Sequence, residues 1–225
     1  MKAMIEAEKE VLNIENQYKD FILNGQHPCI MAKAMFKMDK YQLQVYENMH
    51  NSASLEMLLA HLNHYIGQYN FGGESFESFL AVFPNNQFED EITFEKNLWN
   101  TLQELHELDS CEWDEGVSDD PDDPYFSFSV NGHAFYIIGM HPSSSRIARK
   151  APYTTLVFNL HCQFDKLREM GTYHAVRDII RKNDHDLQGS INPVLKDFGD
   201  DSETRQYSGR NVEEQWKCPF HKKTN

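Results

Sequence analysis

The sequence predicts an α+β fold: a single domain with a central, mainly antiparallel sheet and flanking helices. Apolar residues recur at helical spacing on both sides of the chain's middle, and short strand-like runs gather within it. Two of those runs are joined by Asn131-Gly132, the pair that a two-residue type I′ hairpin turn demands. Strands that cluster in the middle, not alternating with helices along the chain, indicate α+β. With 225 residues, 40% hydrophobic and 12% aromatic, one domain over 1–225 has the apolar mass for a sizeable core. Its N-terminal part, about 1–75, reads as helical, and its tail, about 184–225, as turn-rich.

Taken in order, residues 4–23 place Ile5, Val11, Leu12, Ile14, Tyr18, Phe21 and Ile22 near helical spacing, and Asn24-Gly25 supplies the stop. His27-Pro28-Cys29 opens a less regular stretch. Residues 52–69 form a clearer helix, with Ser52 or Ser54 as cap and Leu55, Leu58, Leu59, Leu62, Tyr65, Ile66 and Tyr69 on one face. The run FLAVFP at 79–84 suits a buried strand. Residues 91–108 return to helical spacing through Phe94, Leu98, Trp99, Leu102 and Leu105. Residues 107–124 carry Glu107, Asp109, Glu112, Asp114, Glu115, Asp119, Asp120, Asp122 and Asp123 with no Lys or Arg, and read as a loop. The hairpin occupies 125–139, with another strand at 154–161 and a helix with a basic face at 165–183.

The net charge of −14 argues against nucleic acid and anionic membrane as partners and suits a cationic small molecule. No stretch approaches the ~18 apolar residues of a membrane span, and the charged N-terminus is not a signal peptide. A cytoplasmic location is therefore expected. Cys29, Cys111, Cys162 and Cys218 form no CxxC pair, which excludes a zinc ribbon and a thioredoxin-type motif and predicts free thiols.

Charge is segregated. Against the acidic loop stands HPSSSRIARK at 141–150, directly after the strand HAFYIIG. A histidine at a strand end with Arg146 and Arg149 just beyond it suits an anion site, because guanidinium makes forked bonds to carboxylate or phosphate. The imidazole is free to bind a metal or move a proton. A solvated loop with two surface arginines explains the same pattern equally well. His61 and His64 share a helix face without an evident third ligand. Asp197 to Tyr207 reads as turns near the site, with Arg205 and Tyr207 as wall groups. The glycine patterns of phosphate and dinucleotide loops, the serine-hydrolase elbow and HExxH are absent.

The order of several segments carries a resemblance. These are His27-Pro28-Cys29, the helix from Trp99 to His106, Pro121 to Pro124, GMHPSSSR at 139–146, FNLHCQF at 158–164, and Phe198-Gly199 with ETRQY at 203–207. Together they resemble the YqcI/YcgG family over nearly the whole chain. The resemblance implies a relation to haem-dependent N-hydroxylases of the guanitoxin pathway. It implies a haem b protein that uses dioxygen and an external electron donor to oxidise the nitrogen of an amine or guanidine. On that expectation His141 holds the iron and Arg146 and Arg149 pair with the propionates. Phe126, Phe128, Phe135, Tyr136 and Phe158 line the slot, with Arg205 and Tyr207 beside it. Asp122, Asp123 or Glu203 holds the substrate's cation. His161 and Cys218 are the other candidate axial ligands. A haem-binding sensor or carrier without turnover, and a non-haem iron enzyme using His141, His161 and a carboxylate, are the rival readings.

Overall fold

The computed structural model describes residues 2–223; Met1, Thr224 and Asn225 lie outside them, as do the side chains of residues 2–5 and 7. Helix α1 (Lys2–Lys19) runs into a π-helical turn (Asp20–Asn24) that ends at Gly25. Helix α2 (Ile30–Lys37) starts at Cys29, whose sulfur accepts a hydrogen bond from the Ala32 amide. Strand β1 (Tyr41–Val45) leads to α3 (Ser52–Gln68), capped by Asn51 and not by either serine. Strand β2 (Ser78–Phe83) precedes α4 (Glu91–Leu108), which Asp90 caps. Then come β3 (Phe128–Val130), β4 (His133–Met140), β5 (Thr154–Leu160), α5 (Cys162–Glu169), α6 (Tyr173–Gln188) and α7 (Thr204–Tyr207).

The five strands lie in the order β1-β2-β5-β4-β3. Only β1 and β2 run parallel, with α3 between them in the chain; the other pairs are antiparallel. The hairpin turn has φ of 53° at Asn131 and 73° at Gly132, the left-handed pair expected of type I′. The helix expected at 165–183 is two helices. Gly171, at φ 68°, stands just past the last turn of α5 and lets the chain reverse into α6.

Strand alternation gives the sheet two unlike faces. Phe135, Ile137 and Gly139 of β4, Leu156 and Phe158 of β5, and Phe79, Ala81 and Phe83 of β2 face one way. There α3, α4 and the tail cover them, with Trp99, Tyr207 and Phe220 in the same core. Gly139 permits the close approach of α4: a Cβ there would sit 2.5 Å from Leu98 Cδ1 and 2.9 Å from Phe94 Cε1. The opposite face carries Leu80, Val82, Ile138, Met140 and Val157 and is covered by α1 and α2. Helix α6 packs on α2 and joins this second layer. Among the described residues no helix is long and apolar enough to cross a membrane.

Candidate functional site

The second layer does not close on the sheet. It leaves a cavity of about 310 Å³, at the lower end of the range of roughly 300–1,000 Å³ typical of small-molecule sites. Leu80, Ile138 and Val157 form its floor, Met35 of α2 one side, and Val176 and Ile180 of α6 the other. Polar groups share the lining, among them Arg149, His27, Cys29, Tyr136, Gln206 and Glu203, with Lys196 and several arginines and aspartates beside them.

Arg149 is the distinctive member. Its Nη1 donates to the Gly139 and Tyr207 carbonyls at 3.0 and 3.2 Å, and its Nη2 to the Gln206 carbonyl at 3.4 Å. Gly209, at φ 81°, cradles its stem: a Cβ there would lie 3.0 Å from Arg149 Cγ. Arg146, Arg168, Arg177 and Arg181 are all paired with aspartates. Among the described residues Arg149 makes no ion pair. Burial opposes its charge, yet guanidinium does not deprotonate in proteins. The cavity therefore presents a fixed positive charge with spare N–H donors.

Glu203 supplies the opposite character. It is 5% exposed, accepts from the Tyr207 hydroxyl at 3.2 Å through Oε2, and faces His161 Nε2 at 3.8 Å through Oε1. Burial pushes its carboxyl up to about 7, against the opposing pull of His161. The folded protein thus keeps a proton that the unfolded chain, with an ordinary value of 4.5, has released. By linkage, stability is lost as pH rises through that window. Urea unfolding at pH 5 and pH 8 is expected to show a loss of roughly 2 kcal/mol from this group, at about 1.4 kcal/mol per unit. That part of the slope should be missing in Glu203→Gln; an equal slope in both proteins would place the proton elsewhere.

The remaining expected site residues scatter, and alternation explains most of it. His141 continues the Phe135-Ile137-Gly139 side of β4 and turns away from the cavity. It is fully buried, stacked on Phe94 with centroids 4.3 Å apart, and neither ring nitrogen has a hydrogen-bond partner. It therefore cannot ligate a group held in the cavity, which corrects the expected axial ligand. Phe128 and Phe158 lie on that same far face as core, with Phe126 and Phe135, and line no slot; Tyr136, of opposite parity, does reach the cavity. Arg146 is on the wall, but its charge is met by Asp184 and Ser190.

Arg205 points to the tail, bonding the Glu213 and Trp216 carbonyls and lying over the Trp216 ring. Tyr207 stands behind Glu203 without lining the cavity, with its hydroxyl also accepting from the Phe128 amide at 3.0 Å. Asp122 is exposed, Asp123 caps the Tyr125 amide at 2.8 Å, and neither lines the cavity. His61 is taken by the Tyr46 hydroxyl at 2.9 Å. Cys218 packs on the far-face core, with its thiol pushed up to about 12 by burial. His141 and His161 are not brought together, and among the described residues no group of three His, Cys, Asp or Glu is placed to hold a metal ion.

His27 and Cys29 are residues to which sequence reasoning assigns no chemical role. Both line the cavity. His27 has both ring nitrogens engaged, Nε2 with the Ala148 carbonyl at 3.2 Å and Nδ1 with the Cys29 amide at 3.3 Å, and burial pushes its imidazole down to about 4. Cys29 keeps its sulfur at the N-terminus of α2. Burial raises the thiol while the first-turn amides, Arg149 and Lys33 pull it down. The available signal was a cysteine just ahead of a helix start, where first-turn amides favour thiolate, although burial outweighs them here and leaves the thiol raised.

Comparison with known proteins adds the lineage. The model of the YqcI/YcgG family matches residues 18–221. The uncharacterized protein YqcI of Bacillus subtilis (strain 168) is 24% identical over 210 residues, covering 88% of this chain and 82% of its own. The uncharacterized protein YcgG of the same strain is 26% identical over 206 residues, covering 86% and 80%. No solved structure matches.

Proposed function

The chain belongs to the YqcI/YcgG family, and on that premise we propose that its cavity takes a haem and serves the oxidation of an amine or guanidine nitrogen by dioxygen. The observation that carries this reading is the guanidinium of Arg149, which makes no ion pair among the described residues, set in the cavity beside the apolar side chains of Leu80, Ile138, Val157 and Ile180. A haem needs an aliphatic or aromatic slot, cations for its propionates and one axial donor. The lining offers a candidate for each need. Leu80, Ile138, Val157 and Ile180 offer the slot, and Arg149 offers the cation. Cys29 offers a sulfur whose only side-chain hydrogen bond among the described residues is the one it accepts from Ala32. His27 is the weaker donor, since its lone pair is already taken by the Cys29 amide.

Bound there, a haem would supply the activation of dioxygen that no side chain provides. The chain's own residues bind, orient and exclude. Arg149 would pair with the carboxylates of the cofactor, and the apolar side chains would keep water from the reacting nitrogen. Glu203, with the Tyr136 hydroxyl and Gln206 nearby, would offer hydrogen bonds to the substrate's nitrogen; Tyr136 donates to Gln206 Oε1 at 3.1 Å and fixes that pair. An external reductant supplies the electrons.

The test is optical. Full-length protein supplied with haem is expected to show a Soret band, lost or shifted in Cys29→Ser and retained in His27→Gln and His141→Phe. No band in the wild type removes the haem. A band that depends on His141 removes the cavity as its seat. With haem bound, reductant and dioxygen are then offered with a panel of amines and guanidines, and absence of product turns the enzyme into a carrier.

A further inference from the structure

We infer that Asp165, His161 and Glu203 form a row that conducts protons from solvent into the cavity. The inference deepens the oxidation reading and rests on it for its purpose. Converting an amine to a hydroxylamine with dioxygen takes two electrons from the reductant and two protons from solvent. One oxygen atom goes to nitrogen and the other leaves as water. Protons must therefore reach the cavity, and Glu203 is an acid that lines it.

The geometry runs in one line. Asp165, at the first turn of α5, has a side chain 52% exposed, and its Oδ2 lies 3.3 Å from His161 Nδ1. The His161 side chain is 7% exposed, and its Nε2 lies 3.8 Å from Glu203 Oε1. That nitrogen has no hydrogen-bond partner, which is costly for a buried polar atom unless a partner arrives. Glu203 then lines the cavity. The 3.8 Å gap exceeds a hydrogen bond of about 2.9 Å, and acid–base pairs awaiting a ligand characteristically stand long and tighten when it binds. Phe198 lies against the imidazole, with centroids 4.3 Å apart, and holds the ring between its two carboxylates.

The step balances. His161 receives a proton at Nδ1 from Asp165 as it releases one from Nε2 to Glu203, and a turn of the imidazole ring brings an N–H back toward Glu203 before the second proton of the turnover. Glu203 passes its own to the cavity, and Asp165 recovers one from bulk water. The titratable and charged groups facing Glu203 are His161, Arg168 from α5, Tyr136 from β4 and Tyr207 from α7. Those facing His161 are Asp165 and Glu203, and Asp165 is also held by Arg168 at 2.7 Å. Tyr207 donates to the second oxygen of Glu203, so Oε1 is the one left for exchange.

Two measurements test the row. In the full chain without added haem, difference infrared spectroscopy across pH 5 to 9 should show a carboxyl losing its proton, absent in Glu203→Gln. In His161→Gln that carboxyl should hold its proton to higher pH, because the neighbouring imidazole lowers it. An unmoved titration in His161→Gln overturns the coupling. In haem-loaded protein turning over an amine, His161→Gln should lower kcat by about 100-fold with KM unchanged. Added imidazole should restore His161→Gly in proportion to its concentration. Retained kcat, or a loss that imidazole does not repair, makes the histidine a packing group and overturns conduction. If wild-type protein yields no product, the oxidation reading falls, and the infrared result alone decides the row.

Discussion

Replacing Glu95 by alanine is expected to destabilise the protein by about 3–5 kcal/mol, the cost of removing one partner from a buried ion pair. Glu95 is 7% exposed on α4 and gathers four donors from the tail. Arg210 reaches it through Nη2 at 2.9 Å and Nε at 3.3 Å, Ser208 Oγ at 2.9 Å, and Trp216 Nε1 at 3.0 Å. Without the carboxylate, Arg210, itself 8% exposed, keeps only Glu213, whose side chain is 65% exposed. The clamp holds Trp216 and Phe220 over Trp99 and so seals the far-face core. Urea unfolding of Glu95→Ala and Arg210→Ala measures the effect. The double change Glu95→Leu with Arg210→Met should recover much of the loss, since a well-packed apolar pair often matches a buried ion pair. A single-variant loss below about 1 kcal/mol would mean that the tail is held by its aromatics alone, as for an exposed pair.

On the proposed haem reading, Arg149→Met is expected to weaken binding of added haem by at least about 30-fold, corresponding to the 2 kcal/mol or more lost when one partner of a buried charge pair is truncated. Methionine fills similar volume, so the apolar fit is kept while the charge and the forked donors go. Titration with haem and with its dimethyl ester separates the terms. The ester has no carboxylate, so its affinity should barely change. Equal losses for both would show that the stem of Arg149 matters and its charge does not. The variant also leaves the Gly139, Tyr207 and Gln206 carbonyls short of a donor, and a stability loss of about 1–3 kcal/mol should accompany the binding loss.

What the sequence disclosed was local. The Asn131-Gly132 turn, the apolar stripes of α3 and α4 and the continuous runs of β2 and β5 come from periodicity and turn chemistry, and all lie where those rules put them. Helix α2 and strand β1 did not announce themselves. Each is short, and every residue of β1 is only half-buried, which erases the alternation that marks a strand. The site was legible in part. Arg149 and Glu203 line the cavity. His141, Phe128 and Phe158 do not, because strand parity sends them to the other face. That parity was readable along Phe135, Ile137, Gly139 and His141; which face would be hollow was not. The hollow depends on α2, α6 and residues 192–206 meeting across the sheet, contacts far apart in the chain that no local pattern encodes.

Helix α7 ties the cavity to the C-terminal segment. Its Gln206 and Tyr207 carbonyls hold Arg149 on the cavity side, and Ser208 and Arg210, just beyond it, begin the clamp on Glu95. Filling the cavity and docking the segment are thus linked equilibria, since a ligand that binds only the folded arrangement stabilises whatever that arrangement includes. Occupancy should be legible at a distance, as slower trypsin cleavage after Lys217.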